Sequence, residues 1–253
     1  MKFVLQKFIV EAGYCSRRKA TELIKAGKIA VNGELAELGM KVGESDDVQA
    51  SGIKLGLKKN KIYIKLNKPI GYICTNRRFK GEKNVFALLP AEAIPSNPAG
   101  RRELPLHVAG RLDKNSRGLV LITNDGSLTE KLTHPRYKRE KCYRASIANH
   151  QLRITNALIN NLIFEFKKGI DIGKGDGIVK AQDIKYLGNN KFEIILTEGK
   201  KRQIRRMFKG LGFEVADLER TAISRLKLGS LKEGQWRKLN KAEIGILAEA
   251  GRE

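Results

Sequence analysis

The run Leu119-Val120-Leu121-Ile122-Thr123 limits most strongly how this chain can fold. Apolar up to its closing threonine and partly β-branched, it reads as a buried strand that ends at the turn signal Asn124-Asp125-Gly126. The segment leading into it, Gly110-Arg111-Leu112-Asp113-Lys114-Asn115-Ser116-Arg117-Gly118, is polar and bracketed by glycines, the pattern of a tight, exposed loop anchored on a rigid strand. Asp113 is the only acid between Glu103 and Asp125, and Arg111, Lys114 and Arg117 lie within four positions of it. Opposite charges this near favour the ionised carboxylate. Taken alone, the segment also fits a surface turn whose aspartate pairs with an arginine.

Other segments give the fold class. Ile62 to Leu66 alternates as a strand, and Tyr143 to Ile147 and Phe192 to Leu196 read as strands. Ser127-Leu128-Thr129-Glu130 has capping-box spacing and opens a short helix through Leu132. Residues 151–163 carry Leu152, Leu158, Ile159 and Leu162 at mostly helical spacing, and Pro90 to Pro105 reads as an irregular loop. Gly169 to Gly177 lacks phosphate-loop spacing and reads as a hairpin loop. Strands outnumber helices without regular helical crossovers, so residues 62–253 are expected to form an α+β domain with a mixed, largely antiparallel sheet.

The N-terminal segment is different. Val4, Leu5, Phe8, Ile9 and Ala12 share one helical face, and Gly13 ends the run. Ser16 caps a second helix through Ala26, with Ala20, Leu23 and Ile24 inward and Gly27 as its stop. Residues 29–35 form a hairpin pattern turning at Asn32-Gly33. Arg17, Arg18 and Lys19 occupy the first turn of the second helix, where the macrodipole disfavours each cation by about 0.3–1 kcal/mol. An external phosphate would satisfy both these cations and the free N–H groups there; the alternative is a solvated charged face. This module is expected to span residues 1–51, followed by a basic linker over 52–61.

Charge narrows the partner. Fifty Lys and Arg against 27 Asp and Glu give +23, which on a chain 41% hydrophobic points to a polyanion bound through counterion release, nucleic acid before an anionic membrane. No apolar run approaches the roughly 20 residues that span a bilayer, and the opening residues lack the core of a signal peptide, so a cytoplasmic location is expected. Cys15, Cys74, Cys142, His107, His134 and His150 are scattered, matching neither a disulfide framework nor a metal site. No metal is expected.

A helix beginning near Lys201 should pack Ile204, Met207, Phe208 and Leu211 inward while Arg202, Arg205, Arg206 and Lys209 share another face. Nothing from Lys200 to Phe213 is acidic, so a polyanion or the Asp113 carboxylate would supply the counter-charge.

In order along the chain stand Lys68-Pro69-Ile70-Gly71, Gly110-Arg111-Leu112-Asp113, Thr123-Asn124-Asp125-Gly126, His134-Pro135, Lys141-Cys142-Tyr143 and Glu198-Gly199-Lys200-Lys201-Arg202-Gln203-Ile204-Arg205-Arg206-Met207. Together they resemble the rRNA pseudouridine synthases that carry an N-terminal S4 domain, and Leu5-Gln6-Lys7, Ala12-Gly13, Ser16-Arg17-Arg18 and Val31-Asn32-Gly33 are similar to the S4 (αL-type) RNA-binding module itself. The resemblance implies conversion of uridine to pseudouridine without a cofactor. Asp113 would attack C1′ as a nucleophile or remove a sugar proton on the way to a glycal. Arg205 would pair with and orient that carboxylate, Tyr143 would stack on the uracil, and Arg111 would hold the loop or a phosphate. Ala145 is smaller than the apolar residue usual in that strand. Arg17, Arg18, Lys19, Lys25, Lys28, Arg202, Arg206 and Lys209 are the expected RNA-binding cations. The opening motifs look more like the large-subunit rRNA enzymes than the small-subunit ones. The chain stops at Glu253 without the long basic tail of some relatives, so tail-assisted recruitment is not expected. The expected partner is ribosomal RNA or a ribosomal assembly intermediate, bound by a monomer. The competing readings are a small-subunit enzyme and a catalytically silent S4-domain assembly factor.

Overall fold

The computed structural model describes residues 2–57, 61–75, 79–90, 93, 106–148 and 155–249. The chain divides into two compact units, one of Met1–Tyr63 with Leu89–His107 and Ile122–Gly126, the other of Ile64–Leu88 with Val108–Leu121 and Ser127–Glu253. Most of the Pro90–Pro105 loop, the expected helix start at 151–154, His150 and linker residues 58–60 lie outside the described residues.

The first unit opens with β1 (Phe3–Val4), α1 (Leu5–Glu11), α2 (Arg17–Lys25), β2 (Ile29–Val31), β3 (Glu34–Leu35), β4 (Lys41–Val42), β5 (Val48–Ala50) and β6 (Ile53–Leu55). Leu5, Phe8, Ile9, Ala20 and Ile24 from the helices meet Ile29, Val31, Val48 and Ala50 from the sheet in one apolar core. Ser16 accepts from the Lys19 N–H at 3.3 Å, as its capping role requires. Asn32 and Gly33 both take positive φ, which lets two strands with right-handed twist join through two residues. Val4, expected on the inward helical face, instead pairs with Lys41 in β1–β4 and is exposed, because its backbone is extended. The four-stranded sheet, in the order β3-β2-β5-β6, continues to Leu55, beyond Ser51.

The remaining elements are β7 (Tyr63–Lys68), β8 (Tyr72–Ile73), β9 (Lys83–Asn84), β10 (His107–Ala109), β11 (Arg117–Thr123), α3 (Gly126–Thr133), β12 (Lys141–Ile147), α4 (Asn156–Lys168), β13 (Ile170–Asp171), β14 (Ile178–Val179), β15 (Asp183–Gly188), β16 (Lys191–Leu196), α5 (Gln203–Gly210), β17 (Val215–Ile223), β18 (Leu226–Lys227), β19 (Trp236–Lys238) and α6 (Lys241–Glu249). A nine-stranded sheet runs β15-β16-β12-β17-β11-β7-β19, with β10 on β11 and β18 on β17. It is mixed: β11 and β17 are parallel, whereas β12 pairs antiparallel with both β16 and β17. The fold is α+β, with an S4 module at its N-terminal end. Leu119, Val120, Leu121 and Ile122 are fully buried, as a central strand demands.

Three boundaries differ from the sequence expectation. Helix α3 starts at Gly126, so Ser127 lies inside it rather than capping it. Helix α4 is capped by Thr155 and runs to Lys168, because Phe166 extends the buried stripe and Gly169, at φ 122°, ends it. Helix α5 starts at Gln203, since Arg202 takes a left-handed conformation. Among the described residues no helix is long and apolar enough to cross a membrane.

Aromatic packing fixes α5. The Phe208 ring lies 4.7 Å from Phe166 of α4 and 5.7 Å from Phe192 of β16, and Phe192 meets Tyr186 of β15 at 5.1 Å. Contacts of this kind contribute about 0.5–1.5 kcal/mol each beyond their area burial. They hold the polar side of α5 at a set height above the sheet.

Candidate active site

The second unit contains a cavity of about 1020 Å³. Loop residues 110–114, Cys74 and Phe79, the 196–204 segment, and Lys141, Tyr143, Leu218 and Arg220 of the sheet all line it. Asp113 stands in its wall, half-buried.

The loop that carries Asp113 is held by its carbonyl oxygens. Strands β11 and β17 approach so closely at Gly118↔Arg220 that a Cβ on Gly118 would lie 2.4 Å from the Arg220 carbonyl oxygen. Gly118 is therefore a buried strand residue at φ 105° and not part of an exposed loop. From this crossing Arg220, 1% exposed, donates through Nε to the Leu119 carbonyl at 2.8 Å and through Nη2 to that of Gly110 at 2.7 Å. Lys68, fully buried, donates to the carbonyls of Ser116 at 2.6 Å, Pro69 at 2.9 Å and Lys114 at 3.3 Å. Arg205 donates to the carbonyls of Asn115 and Val215, each at 2.6 Å. Three cations from three separate elements thus set the loop backbone through charge-assisted hydrogen bonds.

The Asp113 carboxylate itself accepts no hydrogen bond and joins no ion pair among the described residues. The resemblance implies a direct Arg205 pair; here both terminal nitrogens of Arg205 are committed to carbonyls, and its buried Nε has no partner among the described residues. Burial pushes the Arg205 guanidinium below its usual range, and the nearby Asp113 charge opposes that shift. Burial likewise pushes the Lys68 amine down to about 8, with Asp113 among the charges that oppose it. Leu112 N–H donates to the Cys74 sulfur at 3.4 Å, so this cysteine supports the loop.

The other expected residues divide into groups. Tyr143, 9% exposed, lies on the cavity face of β12. Arg111 and Arg202 are exposed at the cavity lining. Arg17, Arg18, Lys19, Lys25 and Lys28 are all exposed on the first unit, Lys19 forming an ion pair with Glu22 at 3.1 Å. Lys209 is exposed on α5. Arg206 departs from expectation: it pairs with Asp176 at 2.6 Å and donates to the Ile172, Gly173 and Lys201 carbonyls. The acid missing from residues 200–213 is supplied by the loop between β13 and β14, distant in sequence, so this guanidinium is occupied within the fold.

Lys68, Lys141 and Arg220 join the site although the sequence expectation does not include them. For Lys141 a signal exists: it shares strand parity with Tyr143, Ala145 and Ile147, all buried. Lys68 and Arg220 have none, because residues Ile64 to Lys68 and Leu218 to Arg220 are each buried consecutively. Gln203, 3% exposed, accepts from the Lys200 N–H at 2.9 Å and donates to Glu198 at 3.0 Å, shaping the 198–203 wall. Among the described residues no cluster of three or more His, Cys, Asp or Glu could hold a metal ion.

Comparison with known proteins gives the family and the fold neighbours of this chain. Residues 62–209 match the RNA pseudouridylate synthase family model, and residues 5–48 match the S4 domain. An uncharacterized RNA pseudouridine synthase of Aquifex aeolicus is 37% identical over 99% of this chain and 95% of its own length. Ribosomal large subunit pseudouridine synthase B of Bacillus subtilis is 35% identical over 95% of this chain and 93% of its own. A crystal structure of a pseudouridylate synthase superposes with TM-score 0.66 at 28% identity, covering 96% of this chain and 98% of that one.

Proposed function

Because the chain belongs to the RNA pseudouridylate synthase family, we propose that it isomerises uridine to pseudouridine in large-subunit ribosomal RNA, with Asp113 as the reacting carboxylate and no cofactor. The observation that carries this reading is the Asp113 loop, pinned through its carbonyls by Lys68, Arg205 and Arg220 while the carboxylate at the cavity wall has no partner among the described residues. A carboxylate needed only for structure would be expected to spend its charge on the cations around it.

The reaction breaks the N1–C1′ bond and leaves its electron pair on uracil. Either an Asp113 oxygen bonds to C1′, or Asp113 removes a C2′ proton and a glycal forms. The freed base turns with its face against Tyr143, and C5 bonds to C1′ as the Asp113 oxygen leaves it or, on the glycal route, as Asp113 returns its proton to C2′; the C5 hydrogen then passes to solvent and N1 takes up a proton. Atoms and charge balance with no redox step. Extruding the uridine costs a few kcal/mol of stacking, less in RNA loops and bulges. The exposed Arg111 and Arg202 would hold phosphates flanking the uridine, and the exposed S4 cations would hold another stretch of the RNA. The large-subunit assignment follows the naming of the Bacillus subtilis relative. A cytoplasmic monomer acting on rRNA or an assembly intermediate completes the reading.

The test is tritium release from C5-labelled uridine in separate large- and small-subunit rRNA transcripts, with Asp113→Asn as comparison. Release from the large-subunit RNA, lost in the variant while RNA binding persists, is expected. Release from the small-subunit RNA alone would move the substrate, and binding without release from either would favour a silent assembly factor.

A further inference from the structure

Three buried lysines in this sheet allow an internal comparison. Lys65, 3% exposed, pairs with Glu243 at 3.0 Å and donates to the Lys227 carbonyl at 3.1 Å. Lys68 uses three carbonyls. Lys141, 9% exposed, donates only to the Arg139 carbonyl, at 3.1 Å, among the described residues. An ammonium has three donors, and burying it with two unused is costly. Its charged neighbours make this worse: Arg220 on β17 repels it, while Glu198 after β16 attracts it without forming an ion pair. A lysine serving only the fold would be satisfied as the other two are.

Lys141 lines the same cavity as Asp113 and precedes Tyr143 by two residues on one face of β12. That spacing is about 7 Å along a strand, so an amine there reaches the edge of a base whose face lies on the tyrosine. A backbone phosphate is better met by the exposed Arg111, Lys200, Lys201 and Arg202 on the cavity lining. We propose that Lys141 is a catalytic residue, its ammonium hydrogen-bonding a carbonyl oxygen of the flipped uracil and stabilising the negative charge that appears there when the N1–C1′ bond breaks. The bonding electron pair spreads from N1 onto the carbonyl oxygens of the base, and the Lys141 N–H···O bond strengthens without transferring its proton. The charge disappears when C5 bonds to C1′, its hydrogen leaves and N1 is protonated. This inference rests on the isomerase reading above.

Burial and Arg220 push the Lys141 amine down to about 8, so the charged form it must supply is lost at mildly alkaline pH. The experiment measures single-turnover tritium release from C5-labelled large-subunit rRNA transcript between pH 6.5 and about 9.5, spanning that value, for the wild type, Lys141→Met and Lys141→Arg. Removing one preorganised donor of this kind costs about 10²- to 10³-fold in rate. Lys141→Met should lose about that much with its RNA affinity unchanged, and Lys141→Arg should recover most of the rate while its alkaline decline moves to higher pH. If Lys141→Met does not fold, the displaced alkaline limb of Lys141→Arg still carries the test. A methionine variant as fast as wild type, a loss matched by lost RNA binding, or an arginine variant with an unmoved alkaline limb overturns the assignment. No release by the wild type from this transcript or from the small-subunit one would overturn the isomerase reading, and this inference with it, whereas release by wild type and Lys141→Met alike overturns this inference alone.

Discussion

Gly118→Ala should damage both stability and turnover, and two distances separate the causes. The new methyl would sit 2.4 Å from the Arg220 carbonyl oxygen and 2.7 Å from its nitrogen, both backbone atoms that no rotamer change can move. Reaching ordinary contact near 3.4 Å requires β11 and β17 to part by about 1 Å at their parallel crossing. Overpacking of this kind costs about 1–3 kcal/mol, and a non-glycine residue held at φ 105° costs about 1–3 kcal/mol more. The expected loss, about 2–6 kcal/mol, is a large part of a typical 5–15 kcal/mol stability. Because Arg220 sets the Gly110 and Leu119 carbonyls, the Asp113 loop moves with it, and a 1 Å displacement can cost about 100-fold in rate. Gly110→Ala is the control: φ is also positive, at 83°, but its methyl would meet nothing nearer than Arg220 Nη1 at 3.7 Å, leaving backbone strain alone. Urea unfolding and tritium release on both variants test the argument. If Gly118→Ala unfolds within about 0.5 kcal/mol of wild type, or if the two variants lose equally, the close approach is not the cause.

Replacing Arg17 and Arg18 with alanine should weaken RNA binding and lower the slope of log affinity against log salt by about 1.4–1.8, at 0.7–0.9 per phosphate neutralised. The chemical step should be intact, and an unchanged slope in filter binding would show that these exposed side chains touch no phosphate. Glu243, bonded to Arg237 and to buried Lys65, has its carboxyl pushed down to about 2, chiefly by Arg237. Its folded pKa lies below the unfolded value of 4.5, so its contribution is complete above that pH and vanishes as pH falls toward 2. Glu243→Gln should cost about 1–2 kcal/mol at pH 7, after allowance for solvent around the pair, and should flatten the acid limb of a stability–pH curve. Wild-type stability for the variant at pH 7 would refute the contribution.

Legibility in the sequence followed the range of the interaction involved. The Ser16 cap and the Asn32-Gly33 turn are contacts between residues within four positions, and both stand as read. Boundaries failed where a longer-range contact competed: Val4 left its helix for a strand partner at Lys41, and α4 ran on because Phe166 found Phe208. The same applies to charge. Arg206 read as a free cation because Asp176 lies 30 positions away in sequence.

Sequence by itself determined the strand that anchors Asp113, the α+β class, the basic face for a polyanion and the ordered motifs that mark the family, since each depends on local periodicity, composition or residue identity. Only the tertiary structure decided how the Asp113 loop is held. Lys68, Arg205 and Arg220 converge on one loop from strands and a helix up to 110 positions away, and they bind its carbonyls, which every residue carries and no sequence distinguishes. Folding also decided which buried lysines are satisfied and which one, among the described residues, keeps donors to spare, because partnership in a sheet is set by neighbouring strands and not by neighbours along the chain.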